Sequence, residues 1–167
     1  MLWTPSGEPS ARTLRAIVEC KIEYLPNYNK AEWGPLQYAH EGDSGVDLRS
    51  ALSVPIFMES RDTAIIPTGI KVAIPKGTEL QVRSRSGLSS KSGIIVLNSP
   101  GTVDSTWRGE IGVILHNASK VPFVVNPGDR VAQMVLCPVF KAEWTETVVA
   151  EIKSDRGENG FGSTGVK

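Results

Sequence analysis

Most of the chain from residue 16 to 149 consists of short runs of alternating or clustered apolar residues, each ended by proline, glycine or asparagine. Period-two alternation puts successive side chains on opposite faces of a strand and marks a half-buried sheet. This pattern predicts strands at 16–22, 46–52, 63–67, 69–74, 78–83, 94–97, 110–117, 123–125, 130–139 and 143–149. The breaks are Pro67-Thr68-Gly69, Pro75-Lys76-Gly77, Ser99-Pro100-Gly101 and Asn126-Pro127-Gly128. Proline presets the first bend of such turns and glycine accepts the backbone angles that follow. Residues 25–42 mix proline, asparagine, glycine and aromatics without a period and are predicted as a loop holding at most one helical turn. Locally helical character is confined to 87–92, where Ser86 stands ready to cap the free amides. Many short strands at regular spacing indicate an all-β protein, a barrel or sandwich.

A length of 167 residues suits one domain with a single core, and a hydrophobic share of 40% suits a globular one. Residues 1–14 are polar and proline-bearing and are expected to form a loose leader, with the barrel at 15–153. From Ser154 the composition shifts to glycine, serine, asparagine and charge, which cannot bury enough surface to order by itself. A flexible C-terminal arm is therefore expected at 154–167. Eighteen basic residues balance eighteen acidic ones. Stable nucleic-acid binding is not expected from such a balance, because a phosphate backbone calls for a basic excess. No apolar run approaches the ~20 residues that span a bilayer. No charged start followed by an apolar stretch marks a signal peptide, so a soluble protein of the cytoplasm, or of the nucleus or host cytoplasm if viral, is the expectation. Cys20 and Cys137 are read as two buried, reduced thiols, and no Cys or His pair has zinc-ligand spacing.

Five segments carry groups capable of chemistry. The first, Ala39-His40-Glu41-Gly42-Asp43-Ser44-Gly45-Val46-Asp47-Leu48, lets backbone approach closely at Gly45 and opens a strand at Asp47, a carboxylate suited to Mg²⁺ through a bound water. The second, Arg85-Ser86-Gly87-Leu88-Ser89-Ser90-Lys91-Ser92-Gly93, offers a guanidinium, a hydroxyl and backbone amides at a helix start, where phosphate oxygens are held well. The third runs from Asn98 to Glu110 and looks like a hairpin presenting Asp104, which there can orient a water for attack. The fourth is Gly128-Asp129-Arg130-Val131-Ala132-Gln133, a strand entry. Strict alternation puts Arg130 and Ala132 on one face and Val131 and Gln133 on the other. The fifth is the tail, Arg156-Gly157-Glu158-Asn159-Gly160-Phe161-Gly162-Ser163-Thr164-Gly165. Its formal G-x-G-x-x-G is no dinucleotide fingerprint, since only Val166 and Lys167 follow and no helix can. A ring, a guanidinium, hydroxyls and free amides instead suit a base and a phosphate chain. Taken singly, each segment reads as an ordinary turn or strand end.

In this order and together, the five segments resemble the five motifs of the trimeric dUTPases, the deoxyuridine triphosphate nucleotidohydrolases, from about Ala39 to Gly165. The resemblance implies a jelly-roll-like β-barrel subunit, a homotrimer with shared active sites, and hydrolysis of dUTP to dUMP and pyrophosphate. It implies that Asp104 orients the water attacking the α-phosphorus. Asn98, Gly101, Val103 and Asp104 are implied around uracil and deoxyribose, with Trp107 beneath the sugar and Phe161 stacked on the base. Arg85, Ser86, Gly87, Gln133, Arg156, Gly162, Ser163 and Thr164 are implied on the phosphates, and Mg²⁺ is implied across them with Asp47 acting through water. A hairpin lying close to the base rejects thymine by its methyl group and cytosine by mismatched donors, and a buried polar mismatch costs on the order of several kcal/mol.

The sequence departs from the family where Trp107 stands for a usual tyrosine, Ser84 for a common proline and Asn159 for a common glycine. The stretch 25–38 is also longer than usual. Two other readings compete. The related dCTP deaminases carry a catalytic glutamate seven residues after a tryptophan, but that position here is Ile114. A non-catalytic nucleotide sensor tolerates loss of Asp104 or of the arm, and both are present.

Overall fold

In the computed structural model, residues 17–149 are described, together with Ile152, Ser154 and Gly157. Ten strands and two short helices follow in chain order: β1 (Lys21–Tyr24), α1 (Lys30–Trp33), β2 (Val46–Arg49), β3 (Ile56–Met58), β4 (Thr63–Ala73), β5 (Thr78–Arg83), α2 (Ser86–Ser92), β6 (Ile94–Val96), β7 (Gly101–Asp104), β8 (Glu110–Asn117), β9 (Phe123–Val125) and β10 (Arg130–Pro138). One four-stranded sheet has the order β1-β4-β8-β6, a second β2-β10-β5-β7, and β3 pairs with β9. Every ladder among the described residues is antiparallel, and the sheets they form do not close into a barrel. The architecture is all-β, as the alternation predicts, and of the jelly-roll-like kind that the resemblance implies.

The core is the shared product of the two sheets. Ile66, Val113 and Leu115 from the first and Leu48, Val82 and Val131 from the second join one buried cluster. In β8 the alternation is clean, with Ile111, Val113 and Leu115 inward and Gly112 and Ile114 outward. Burial of these side chains is the main favourable term, at about 25 cal/mol per Å² of apolar surface. Asn117 is fully buried at the end of β8 and fully bonded. Its Nδ2 donates to Met58 O and Val121 O, and its Oδ1 accepts from the amide and hydroxyl of Ser119.

The structure corrects several expectations. Strands 63–67 and 69–74 are one strand, β4, which runs through the proline-glycine signal. The register shifts between Pro67 and Lys71. Gly69 takes φ +68° there, and its amide donates to Glu110 Oε1 at 2.7 Å, while Thr68 Oγ1 donates to Ile111 O at 2.6 Å. A glycine in the left-handed region is what a bulge of this kind needs. The alternation at 143–149 forms no strand, and no strand among the described residues pairs with it. The first strand begins at Lys21, later than expected. The loop at 25–42 contains the single helical turn α1. The thiols are not buried as expected: Cys20 is exposed and Cys137 half-buried, and both are free. Among the described residues, no helix is long and apolar enough to cross a membrane. The leader 1–14 lies outside the described residues.

Candidate active site

β10 lies between β2 and β5, and its Gln133 sits in one cross-strand row with Asp47 of β2 and Arg83 of β5. Asp47 points away from the core because its neighbours Val46 and Leu48 point into it. Just past Arg83 the chain leaves the sheet, and Arg85 folds back over this row. Its Nε donates to Asp47 Oδ1 at 2.8 Å, its Nη2 to Asp47 Oδ2 at 3.5 Å, and its Nη1 to Arg130 O at 3.2 Å. Arg130 Nη1 approaches Asp47 Oδ2 at 3.5 Å. Gln133 Nε2 donates to Ser84 O at 2.9 Å, and Ser84 Oγ accepts from the amide of Val96 at 2.8 Å. Ser84, at a position where the family often has proline, thus ties α2's approach to both β10 and β6. Gly45 packs on Gln133, where a Cβ would stand 2.7 Å from Oε1.

These side chains open onto a cavity of about 320 Å³, lined by Asp47, Arg85, Ser86, Gly87, Gln133 and the 37–45 segment. Arg85 and Asp47 are each about one-third exposed, so their attraction is screened and contributes at most about 1 kcal/mol. Its importance is geometric: the carboxylate fixes the plane of the guanidinium.

Two expectations about this cavity are corrected. Ser86 does not cap α2 but is its first residue; Arg85 holds the cap position with extended backbone, and its side chain makes no capping bond. Alternation also fails at the start of β10. The register against β2 shifts between Arg130 and Ala132, and Val131 and Ala132 are both buried. The bulge turns Arg130 to the same side as Gln133, so both sit beside Asp47, Gln133 lining this cavity and Arg130 a smaller one that adjoins it. Arg130 escaped the sequence reading because a bulge is a property of strand pairing and not of the chain's own pattern.

A second cavity, of about 250 Å³, is lined by Thr102, Val103, Asp104, Trp107, Glu110, Ile111 and Gly112. The expected hairpin is corrected here. β7 pairs with β5, Asp104 opposite Glu79, while β8 pairs with β4 and β6. The strand after Asp104 therefore returns in the other sheet. The 104–107 turn is closed by the amide of Trp107 donating to Asp104 O at 3.0 Å. The Trp107 indole lies against Gly109, where any Cβ would run into the ring, and half of it remains exposed. Asn98 is exposed in the preceding turn, its Nδ2 packed on Gly101, which is buried against Val82. Val103 is half-buried and Asp104 exposed.

The chain does not bring these two cavities together. Asp104 stands opposite Glu79 at one end of β5 and Arg85 follows the other end. Six residue steps run from position 79 to position 85, a span of roughly 20 Å at ~3.3 Å per residue of extended chain. The expected arm residues Arg156, Phe161, Gly162, Ser163 and Thr164 lie outside the described residues.

Donor chemistry tests the expected Mg²⁺. Among the described residues, no group of three or more His, Cys, Asp or Glu side chains is placed to hold a metal. Both Asp47 oxygens already face arginines, and Asp43 Oδ2 accepts from the His40 amide at 2.9 Å. This set does not fit a cage made wholly of protein. It fits an ion bound by phosphate oxygens and water with one carboxylate behind the water, a common arrangement for Mg²⁺.

The longer 25–38 stretch is part of this neighbourhood. Tyr24, Tyr28 and Trp33 form an aromatic run, with ring centroids 4.6 Å and then 5.2 Å apart. Tyr28 is buried and packs on Gly69, and its hydroxyl donates to Gly34 O at 3.0 Å. Burial, aided by Tyr24 and opposed by Arg49, raises its pKa above the usual phenol value, which keeps it a neutral donor. Gln37 and Ala39, at the far end of the stretch, line the 320 Å³ cavity.

Comparison with known proteins gives a family model described as dUTPase, matching residues 31–165. A Chlamydia trachomatis protein named deoxyuridine 5'-triphosphate nucleotidohydrolase is 51% identical over 129 residues, 77% of this chain and 89% of the relative. One of the same name from Orientia tsutsugamushi strain Boryong is 42% identical over 150 residues, 90% of this chain and 100% of the relative. Among solved structures, the dUTPase of Staphylococcus bacteriophage 80alpha with dUPNHPP matches at a TM-score of 0.77 and 26% identity, covering 89% of this chain and 99% of that one. The phage phi11 dUTPase of S. aureus, described with a structural Mg(II) ion, shares the fold at a TM-score of 0.67 and 24% identity, covering 77% and 96%.

Proposed function

The chain belongs to the dUTPase family and hydrolyses dUTP to dUMP and pyrophosphate, and from that premise we propose how its residues divide the work. Asp104 is the catalytic carboxylate. It accepts a proton from a water that attacks the α-phosphorus; the α–β bridging bond breaks and pyrophosphate leaves. Its exposed position at the end of β7, on the rim of the cavity that also holds Trp107, supports this role. The same cavity takes the nucleoside. Asn98, Gly101, Val103 and Asp104 read the uracil edge, and Trp107 lies beneath the deoxyribose, where its bulk opposes a 2′-hydroxyl as a tyrosine ring would.

Arg85, Ser86, Gly87 and Gln133 hold the phosphate chain in the other cavity. The supporting observation is the double tie of Arg85 to Asp47, which preorganises a guanidinium for phosphate before substrate arrives. Mg²⁺ on the phosphates, with Asp47 behind a water, supplies charge neutralisation when bound. The arm, 154–167, follows the 15–153 domain and closes the site. Arg156, Gly162, Ser163 and Thr164 meet phosphate and Phe161 stacks on uracil, excluding water from the reaction.

One chain cannot assemble this site, and the separation of Asp104 from Arg85 along β5 is the observation that carries the proposal. A second copy must supply one of the two cavities, in a homotrimer. Two surfaces support self-association. On the outer face of the first sheet, Ile65 is 71% exposed and stands opposite Ile114, with Ile95 and Leu97 nearby. The extended 139–149 segment leaves Phe140 94% and Trp144 92% exposed. Apolar groups at this density mark an interface. The product dUMP serves thymidylate synthesis, and removal of dUTP limits uracil in DNA.

The test is pyrophosphate release from dUTP by the wild-type chain and by Asp104→Asn. Release by the first and a loss of about a thousandfold or more in the second is expected if Asp104 handles the proton. Equal release by both refutes its role.

A further inference from the structure

We infer that Trp33 is a positioning residue for the phosphate cavity, acting through the turn before β10 on Arg130 and, through it, on Asp47 and Arg85. The inference rests on the phosphate reading of that cavity.

Arg130 stands at the bulged entry of β10, where the ladder to β2 slips and does not fix the backbone by itself. The preceding Asn126–Asp129 turn must do so. Its own bonds hold it, the Asn126 amide donating to Asp129 Oδ2 at 2.8 Å. It is bound to the end of β2 by Gly128 N donating to Ser50 O, Ser50 N donating to Asp129 O and Arg49 Nη1 donating to Gly128 O, all at 2.8 Å. Gly128 has φ +83°, and the Trp33 indole covers it: a Cβ at 128 would lie 2.8 Å from Nε1.

The indole in turn is fixed edge-on against Tyr28, at an interplanar angle of 87°. Trp33, Arg49, Asp47 and Arg130 also line one small cavity of about 120 Å³, which adjoins the phosphate cavity through Gln37, Ala39 and Asp47. The contacts form a chain. The indole sits on the turn, the turn sets the start of β10, Arg130 O accepts from Arg85 Nη1, and Arg130 Nη1 faces Asp47. Nothing in this chain reaches the Asp104 cavity, so the effect is selective for the phosphate end of the substrate.

The test uses the full chain with Trp33→Ala, Trp33→Leu and Trp33→Phe, each checked for native circular dichroism and assembly size. Binding of the non-hydrolysable analogue dUpNHpp with Mg²⁺ and inhibition by deoxyuridine are measured in parallel. The expected result is about tenfold weaker dUpNHpp binding for Ala and Leu, with deoxyuridine changed less than about twofold. Phe, which keeps a ring over Gly128, stays within about twofold of wild type. Equal losses for both ligands, or no loss for either, overturn the inference; if Ala does not fold, Leu and Phe decide it. An Arg85→Ala control separates the two readings. If Arg85→Ala leaves dUpNHpp binding intact, the phosphate assignment is at fault; if it weakens binding and the Trp33 variants do not, the positioning role is.

Discussion

Arg85 and Asp47 lie 38 positions apart in sequence, yet their side chains meet at 2.8 Å across the front of β10. The carboxylate takes two donors of one guanidinium and faces a second arginine, Arg130. An isolated arginine loses rotamer freedom when it grips a phosphate, whereas one already held by Asp47 has less to lose.

Arg85→Ala is therefore expected to weaken dUTP turnover through substrate binding. A fall in kcat/KM of about a hundredfold, carried largely by KM, is the expected outcome. Arg85→Lys should recover little of it, since an ammonium cannot reproduce the fork that Asp47 aligns. Steady-state assays of pyrophosphate release on the two variants check both statements.

Gly45→Ala separates stability from activity. The new methyl would stand 2.7 Å from the Gln133 Oε1 tip, which can swing aside, and at ordinary contact distance, 3.4 Å, from Val135 Cγ2. Thermal unfolding should shift by no more than about 0.5 kcal/mol. Gln133 then lets go of Ser84 O, and kcat/KM should drop about tenfold. A large loss of stability with unchanged kinetics would falsify the assignment of Gln133 to the cavity.

Asn117→Ala tests the core. The side chain is fully buried and supports Met58 O, Val121 O and the Ser119 amide at once. Truncation strands these groups, at a cost of about 2–3 kcal/mol. In a domain of this size that lowers the melting temperature by about 5–10 °C. Calorimetry reads the shift directly.

Ile65→Glu places a charge on the outer face of the first sheet without touching the core, since Ile65 is 71% exposed in the single chain. The subunit fold is expected to persist while the assembly dissociates, and activity is expected to fall with it. Sedimentation velocity and pyrophosphate release, measured at the same protein concentrations, test whether the two losses coincide.

Much of this was legible in the chain itself. Strands 78–83, 110–117 and 123–125 stand where alternation and turn residues put them, because one face of each is buried and the pattern records it. β3 left no mark: three residues with Phe57 exposed carry too little alternation to see. β4 was split at Pro67-Thr68-Gly69 because a bulge and a turn use the same residues, and only the partner strand tells them apart. The alternation at 143–149 is real, but a strand needs a neighbour and the described residues provide none there. At the site, Asp47, Arg85, Ser86, Gly87 and Gln133 were readable as segments and do meet in one cavity. Arg130 was not, because its orientation depends on a register slip. Trp33 was not, because its role depends on Gly128 passing beneath it, 95 residues later.

The central claim is that Asp104 and Arg85 serve one active site from different chains. Mixing two inactive variants, Asp104→Asn and Arg85→Ala, after dissociation and reassembly tests it most directly. A shared site predicts that sites combining an intact Asp104 with an intact Arg85 reappear, with pyrophosphate release returning to about a quarter of the wild-type rate for random mixing of equal amounts. If mixed assemblies form and release stays at the level of the separate variants, each site is built within one chain and the account is wrong.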